Sequence, residues 1–156
     1  MHLVNTTTQE LEEFSSEIPE YAILSHTWGK KEISFRDLQK GNAKNMPEFA
    51  KFQGCCEQAK RDNFGYVWID TCCIDKTSSA ELSEAINSMY QWYKEAQICY
   101  AYLADVPSGE NLQYPDSPFA QSRWFTRGWT LQELIAPSSL VFYGKDWREI
   151  GTKLSL

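Results

Sequence analysis

Four short apolar runs recur along the chain, each bounded by turn-forming residues. They are Tyr21-Ala22-Ile23-Leu24-Ser25, Tyr66-Val67-Trp68-Ile69-Asp70, Ile98-Cys99-Tyr100-Ala101-Tyr102-Leu103 and Leu140-Val141-Phe142-Tyr143. Runs of this length, without polar alternation and rich in β-prone residues, predict strands buried on both faces. Between them the period changes. Phe49, Phe52, Cys56 and Ala59 recur at spacings of three and four, which predicts an amphipathic helix over 48–61 with Pro47 at its first turn. Leu82, Ala85, Ile86, Met89, Trp92 and Tyr93 form a second stripe, opened by the capping-box pattern Ser78-Ser79-Ala80-Glu81 and running to about Glu95. Ser34 is placed to cap a short helical turn through Leu38, and a further helix near 128–136 is stopped by Pro137. Residues 1–14 read as a short strand, a turn at Asn5–Thr8 and a second extended or helical piece. Residues 105–119, rich in Pro, Gly, Ser, Asn and Asp, predict the longest loop.

Strands alternating with helices predict an α/β fold: a mainly parallel sheet flanked by helices on both faces, behind a short N-terminal β element. At 156 residues the chain reads as a single domain, 1–156, long enough to bury its own core. In such sheets ligands bind beyond the carboxyl ends of the strands, where the strand order switches. That puts Ser25–Gly29, Asp70–Asp75, and Asp105 with its loop on the expected functional rim.

Charge and cysteine usage narrow the classes. A net charge of −6 argues against a nucleic-acid binder, whose footprint is a basic patch. Lys30, Lys31, Arg36, Arg123 and Arg127 still leave room for a local anion site. No apolar run approaches the roughly 18 residues of a membrane span, and the N-terminus lacks the basic-then-apolar order of a signal peptide; a cytoplasmic location is the expectation. Cys55, Cys56, Cys72, Cys73 and Cys99 are odd in number and lack CxxC spacing, and His2 and His26 are the only histidines. Neither a disulfide framework nor a metal site is expected, and buried reduced thiols are.

The candidate chemistry lies in three segments. Ser25 and His26 are neighbours, but adjacent strand residues point to opposite faces, so they cannot act as nucleophile and base for each other. No GxSxG elbow, GxxxxGK[ST] loop or GxGxxG fingerprint occurs. Asp70 stands where a buried strand meets its loop, a costly position for a carboxylate unless it is hydrogen-bonded or used; it either caps amides of its own loop or contacts a ligand hydroxyl. The densest segment is Ser122-Arg123-Trp124-Phe125-Thr126-Arg127-Gly128-Trp129-Thr130-Leu131-Gln132-Glu133-Leu134. Trp129 and Glu133 share one helix face. Such a pair lets the ring stack on a planar ligand while the carboxylate handles a polar edge or acid/base work. Thr130-x-x-Glu133 is equally a capping box in which Glu133 bonds the backbone of Thr130.

Together these blocks resemble the fungal HET (heterokaryon-incompatibility) domain. The resemblance is carried by Tyr21–Gly29, Tyr66–Ile74, the helix Glu81–Tyr90 and Arg123–Leu134, in that order, and covers most of residues 1–150. It implies a cell-death effector, the N-terminal part of a longer protein that carries sensor or other domains. HET domains are also remotely similar to TIR domains, which share a flavodoxin-like parallel sheet. There Trp129-Thr130-Leu131-Gln132-Glu133-Leu134 looks like the W-C-x-x-E-L pattern whose glutamate is catalytic in NAD-cleaving members, with Thr130 in place of the cysteine. A fifth TIR-like strand and its helix are not evident before residue 156. The resemblance implies NAD glycohydrolase activity triggered by homo-oligomer assembly, with NAD as substrate rather than cofactor. Glu133 would be the catalytic residue. Ser25, His26, Trp28, Gly29, Asp70, Trp124, Arg127 and Trp129 would form the nucleotide site. The alternative is a non-enzymatic signalling module that acts by self-association or partner binding. In that reading Glu133 is a helix cap and the tryptophans are core or interface.

Overall fold

The computed structural model describes residues 1–107 and 114–156; the middle of the expected loop over 105–119 lies outside the described residues. The strands are β1 (His2–Asn5), β2 (Leu11–Glu13), β3 (Ala22–His26), β4 (Tyr66–Trp68), β5 (Ile98–Tyr102), β6 (Leu140–Tyr143) and β7 (Glu149–Thr152). The helices are α1 (Phe35–Lys40), α2 (Phe49–Arg61), α3 (Ser79–Glu95) and α4 (Thr130–Ile135), with 3-10 turns at Ala43–Asn45 and Arg123–Thr126. Among the described residues the strands form one seven-stranded sheet in the order β2-β1-β4-β3-β5-β6-β7.

The four apolar runs are the parallel centre of this sheet: β3 pairs in parallel with β4 and β5, and β5 with β6. Every residue of β3 is buried, as a strand covered on both faces requires. The expected N-terminal β element is present, and both edges of the mainly parallel sheet are antiparallel. At one edge β1 and β2 make a hairpin, and β1 runs antiparallel to β4. Asn5 Oδ1 accepts from the amides of Thr7 and Thr8, at 2.9 and 3.1 Å, which fixes the hairpin turn. At the other edge β7 turns back antiparallel on β6. Its sequence, Glu-Ile-Gly-Thr, has too little apolar pattern to announce a strand, and the neighbour's unpaired backbone decides it.

Local signals account for most helix ends. Ser34 caps α1 in a full capping box with Asp37, and Gly41 closes it at φ 72°. α2 begins after Pro47 rather than containing it. Ser78 Oγ accepts from Glu81 N at 3.3 Å at the start of α3. The box is only half formed there, because the Glu81 carboxylate turns instead to the Asp75 amide and to His2. β4 is shorter than its apolar run, since Ile69 O accepts from the amides of Cys72 and Cys73 and the chain turns.

α3 covers one face of the sheet, where Trp68 packs edge-on against Trp92 and Tyr93 at centroid distances of 5.5 and 6.1 Å. α2 covers the other through Phe52, Cys55, Cys56 and Ala59. All five cysteines are buried and free; burial raises the thiol pKa of Cys55, Cys72 and Cys99 and pushes Cys56 up to about 12, so these four pack as inert apolar groups. No helix among the described residues is long and apolar enough to cross a membrane.

Away from that face, α2 carries a close approach at Gly54. A Cβ on Gly54 would stand 2.2 Å from Nε1 of Trp147, whose ring stacks on Tyr102 at 4.9 Å. Gly54→Ala is therefore expected to destabilise the fold by roughly 1–3 kcal/mol, the usual scale of overpacking. Alanine's better helix propensity, about 1 kcal/mol, offsets only part of it. Urea unfolding measures this, and an unchanged or raised midpoint would show that the indole yields freely.

Candidate functional site

The strand order switches at β3, whose successor β4 lies on one side and the next strand, β5, on the other. A cleft of about 560 Å³ opens beyond the carboxyl ends there, lined by Thr27 and Trp28 after β3, Asp70, Ile74 and Lys76 after β4, Leu82, Ile86 and Met89 of α3, and Arg127, Trp129 and Glu133. A second cavity, of about 500 Å³, lies among Phe119, Phe125, Leu134, Ile135, Phe142, Lys153 and Leu156. It lacks converging polar groups, because the Lys153 ammonium is already taken by the carbonyls of Leu134 and Pro137.

Glu133 is the centre of the first cleft's inner wall. It is 4% exposed and its carboxylate accepts four hydrogen bonds. Oε2 takes Ser25 Oγ at 2.9 Å and Arg127 Nη1 at 2.8 Å; Oε1 takes Tyr93 OH at 3.0 Å and Arg127 Nη2 at 3.2 Å. The guanidinium is thus a two-pronged partner. Ser25 Oγ in turn accepts from Trp124 Nε1 at 2.8 Å. The capping reading of Glu133 does not describe this geometry. α4 has no side-chain cap, and Thr130 donates its hydroxyl to the carbonyl of Trp124. A buried carboxylate stripped of its charged partner costs about 3–5 kcal/mol, so Arg127 and Glu133 depend on each other.

Ser25 and His26 point to opposite faces, as their adjacency requires. His26 Nε2 lies 2.9 Å from Asp70 Oδ1, while Nδ1 meets Lys51 Nζ at 2.8 Å and Glu32 Oε1 at 3.2 Å. Lys51 is buried and bonds Glu32 directly. Asp70 links this cluster to the cleft, because its Oδ2 accepts from Trp28 Nε1 at 3.0 Å. Lys76 sits 4.6 Å from the Trp28 ring centroid and donates to Asp70 O at 3.0 Å. Asp70 is therefore tied to side chains and not to amides of its own loop.

The residues expected at a nucleotide site thus separate. Trp28, Asp70, Arg127, Trp129 and Glu133 meet in the cleft wall. Ser25 stands behind Glu133, and Trp124, fully buried, stands behind Ser25; its ring packs against Phe125 and Phe142 and offers no face to a ligand. His26 faces the other side of the sheet and reaches the cleft through Asp70. Gly29 is exposed beside the Glu48 carboxylate, away from the cleft lining. Arg123 turns outward to Asp105. Tyr93, Lys51, Glu32 and Lys76 were not singled out by pattern. Tyr93 carries a usable signal: a tyrosine on a buried stripe needs a partner for its hydroxyl.

The comparisons with known proteins agree with these blocks. The profile of the family described as heterokaryon incompatibility protein (HET) matches residues 21–116. The chain belongs to the HET family. It is 49% identical over 148 residues to the vegetative incompatibility protein HET-E-1 of Podospora anserina, a match covering 91% of this chain and 11% of that protein. The chain thus spans about a tenth of the curated relative's length. No solved structure matches it. The HET profile takes in β3, β4, α3 and β5 but stops before Glu133 and Arg127, which lie within the described C-terminal part.

Charge state gives this HET domain a pH signature. Burial foremost, and the Lys51 ammonium beside it, lower the His26 pKa, but hydrogen bonds to Asp70 and Glu32 and the Asp70 charge outweigh them and hold the pKa above its ordinary value. Burial by itself raises Asp70 and Glu32, but His26 foremost, with Lys76 and Trp28 for Asp70 and Lys51 for Glu32, brings both below theirs. The His26 contribution to stability is therefore full below about pH 6.5 and fades as pH rises through its raised folded pKa. The carboxylate contributions are full above about pH 4.5 and fade as pH falls through their lowered values. Thermal midpoints followed from about pH 3 to pH 9 should fall at both ends, and His26→Gln should flatten the alkaline limb. An unchanged alkaline limb in that variant would mean that His26 is not the titrating group.

Proposed function

We propose that this HET domain is a cell-death effector of fungal heterokaryon incompatibility that acts by cleaving NAD once assembled. The observation that carries the proposal is the buried Glu133 carboxylate in the wall of a cleft that also presents two half-exposed indoles and two cations. Trp28 and Trp129 offer flat apolar faces to planar rings. Arg127 and Lys76 suit a diphosphate, Arg127 through its fork and Lys76 as a point charge.

The reaction needs little else. The bond between the nicotinamide nitrogen and the ribose anomeric carbon breaks, and nicotinamide leaves with the electron pair. Water adds to the oxocarbenium-like carbon and releases a proton. Glu133 anchors the ribose hydroxyls and stabilises the positive charge as it develops, the largest kind of contribution a fixed carboxylate makes. Ser25 and Tyr93 orient it from behind. The resemblance of Trp129–Leu134 to the TIR pattern supports the same role, and the likeness to the vegetative incompatibility protein of Podospora anserina supports the incompatibility setting. Sensor or other domains beyond this segment would supply the trigger.

A second reading has its own support. Ile86 and Tyr90 of α3 and Leu131 and Ile135 of α4 are exposed, Leu131 by 67%. Apolar side chains so displayed suit self-association or partner docking. Alone this describes a non-enzymatic signalling module; with the cleft it describes how an enzyme is switched on by assembly.

Nicotinamide release from NAD, followed over a series of protein concentrations, tests the proposal. Release should rise more steeply than in proportion to protein, and Glu133→Gln should lower it by about 100-fold or more, the scale of losing one group aimed at transition-state charge. Wild-type turnover in Glu133→Gln, or no release at any concentration, would leave the non-enzymatic module.

A further inference from the structure

We infer that Arg127 is a displaceable latch on Glu133, which makes the cleft selective for ligands that join a phosphate or diphosphate to a cationic or hydroxyl-rich group. The inference rests on the cleft being the ligand site, as proposed above, but not on turnover. It comes from a difference among the donors that hold the carboxylate. Ser25 belongs to the central strand β3 and Tyr93 to α3; both are buried in the core. The single proton of Tyr93 OH is shared between Glu133 and Leu24 O, 3.1 Å away. Neither can leave without opening the sheet. Arg127 stands in the linker between the 3-10 turn and α4, at φ −75° and ψ 147°, outside both elements. Next to it is Gly128, around whose Cβ position there is open space. The Arg127 side chain is 19% exposed and lines the cleft.

In the described state the carboxylate is masked. Each oxygen holds one fixed donor from the core and one prong of the guanidinium. A phosphate entering the cleft offers Arg127 a similar two-pronged acceptor carrying more charge. Moving the guanidinium to it frees one acceptor site on each carboxylate oxygen, on the cleft side. A bare anion gains little from this, because it leaves a buried carboxylate undercompensated. A bare cation or sugar gains little either, because Arg127 already occupies the carboxylate. A ligand carrying both groups satisfies Arg127 and Glu133 together. The salt bridge therefore screens for the linked pair of groups, and Arg127 is a positioning residue for Glu133 as well as an anion contact.

Binding of inorganic pyrophosphate, measured by calorimetry, isolates the latch from any chemistry. Wild type should bind it weakly. Glu133→Gln removes the charge that competes for the guanidinium and should bind it about tenfold tighter or more, the scale of one charge-assisted hydrogen bond. Arg127→Met should lose the binding. If that variant fails to fold, the double variant Arg127→Met/Glu133→Gln, with no unpaired buried charge, takes its place and should show the same loss relative to Glu133→Gln. Equal affinity in wild type and Glu133→Gln, no binding to Glu133→Gln, or binding retained without Arg127 would each overturn the latch. The two proposals fail separately. NAD cleavage with a flat pyrophosphate series leaves the enzyme without a latch. The expected series without cleavage leaves a latch on a nucleotide-binding module.

Discussion

A carboxylate buried at the junction of four chain segments must be neutralised and fully hydrogen-bonded, and the architecture of the rim follows from that demand. Glu133 comes from α4, Ser25 from β3, Tyr93 from α3 and Arg127 from the linker before α4. Segments up to 108 residues apart are thereby held to one another by groups that cannot be left unpaired. The short α4, only Thr130–Ile135, could not hold its place by helix propensity. Its attachment to the sheet comes from this cluster and from the aromatic packing of Trp124 against Phe142 behind it.

The end of β3 carries a second charge cluster on its other face. Because side chains alternate along a strand, Ser25 and His26 deliver two networks from consecutive positions, one to Glu133 and one to Lys51, Glu32 and Asp70. Asp70 brings the second network to the cleft, where it holds the Trp28 indole in place. An exposed tryptophan tethered through its ring nitrogen, with a lysine over its ring, is a fixed flat surface and not a loose side chain. That fixed indole, with the Trp129 ring, two cations and a carboxylate in the same lining, makes this cleft, and not the apolar cavity beside α4, the candidate ligand site.

Membership in the HET family and the α/β architecture stand on independent grounds, one on the matched blocks and one on the sheet. The two meet in the strand-end loops. The blocks that carry the family resemblance at β3 and β4 also contribute Trp28 and Asp70 to the cleft wall, with Lys76 just beyond the second. Arg127 and Glu133 lie beyond the residues that the family profile matches, and it is the fold that sets them in the cleft wall.

The sequence by itself determined the elements whose signal is local or periodic. The four parallel strands were legible because burial on both faces leaves no polar position to blur the run. α2 and α3 were legible from their apolar stripes, and α1 from Ser34. The opposition of Ser25 and His26 also followed from strand geometry alone. The short N-terminal strand and its turn at Asn5–Thr8 were legible too, but only the tertiary structure decided β7 and the antiparallel pairing at both edges, which partner strands and not local composition hold. It also decided the fate of Glu133. Thr130-x-x-Glu133 satisfies a capping pattern and an inward-facing pattern equally well over four residues. The choice between them depends on Ser25, Tyr93 and Arg127, and two of these lie 108 and 40 positions away. Trp124 and Trp129 illustrate the same limit: only their packing separates a core residue that holds Ser25 from a half-exposed face on the cleft. Hydrogen-bond partners distant along the chain leave no periodic trace, and the physics of a buried charge is settled by those partners.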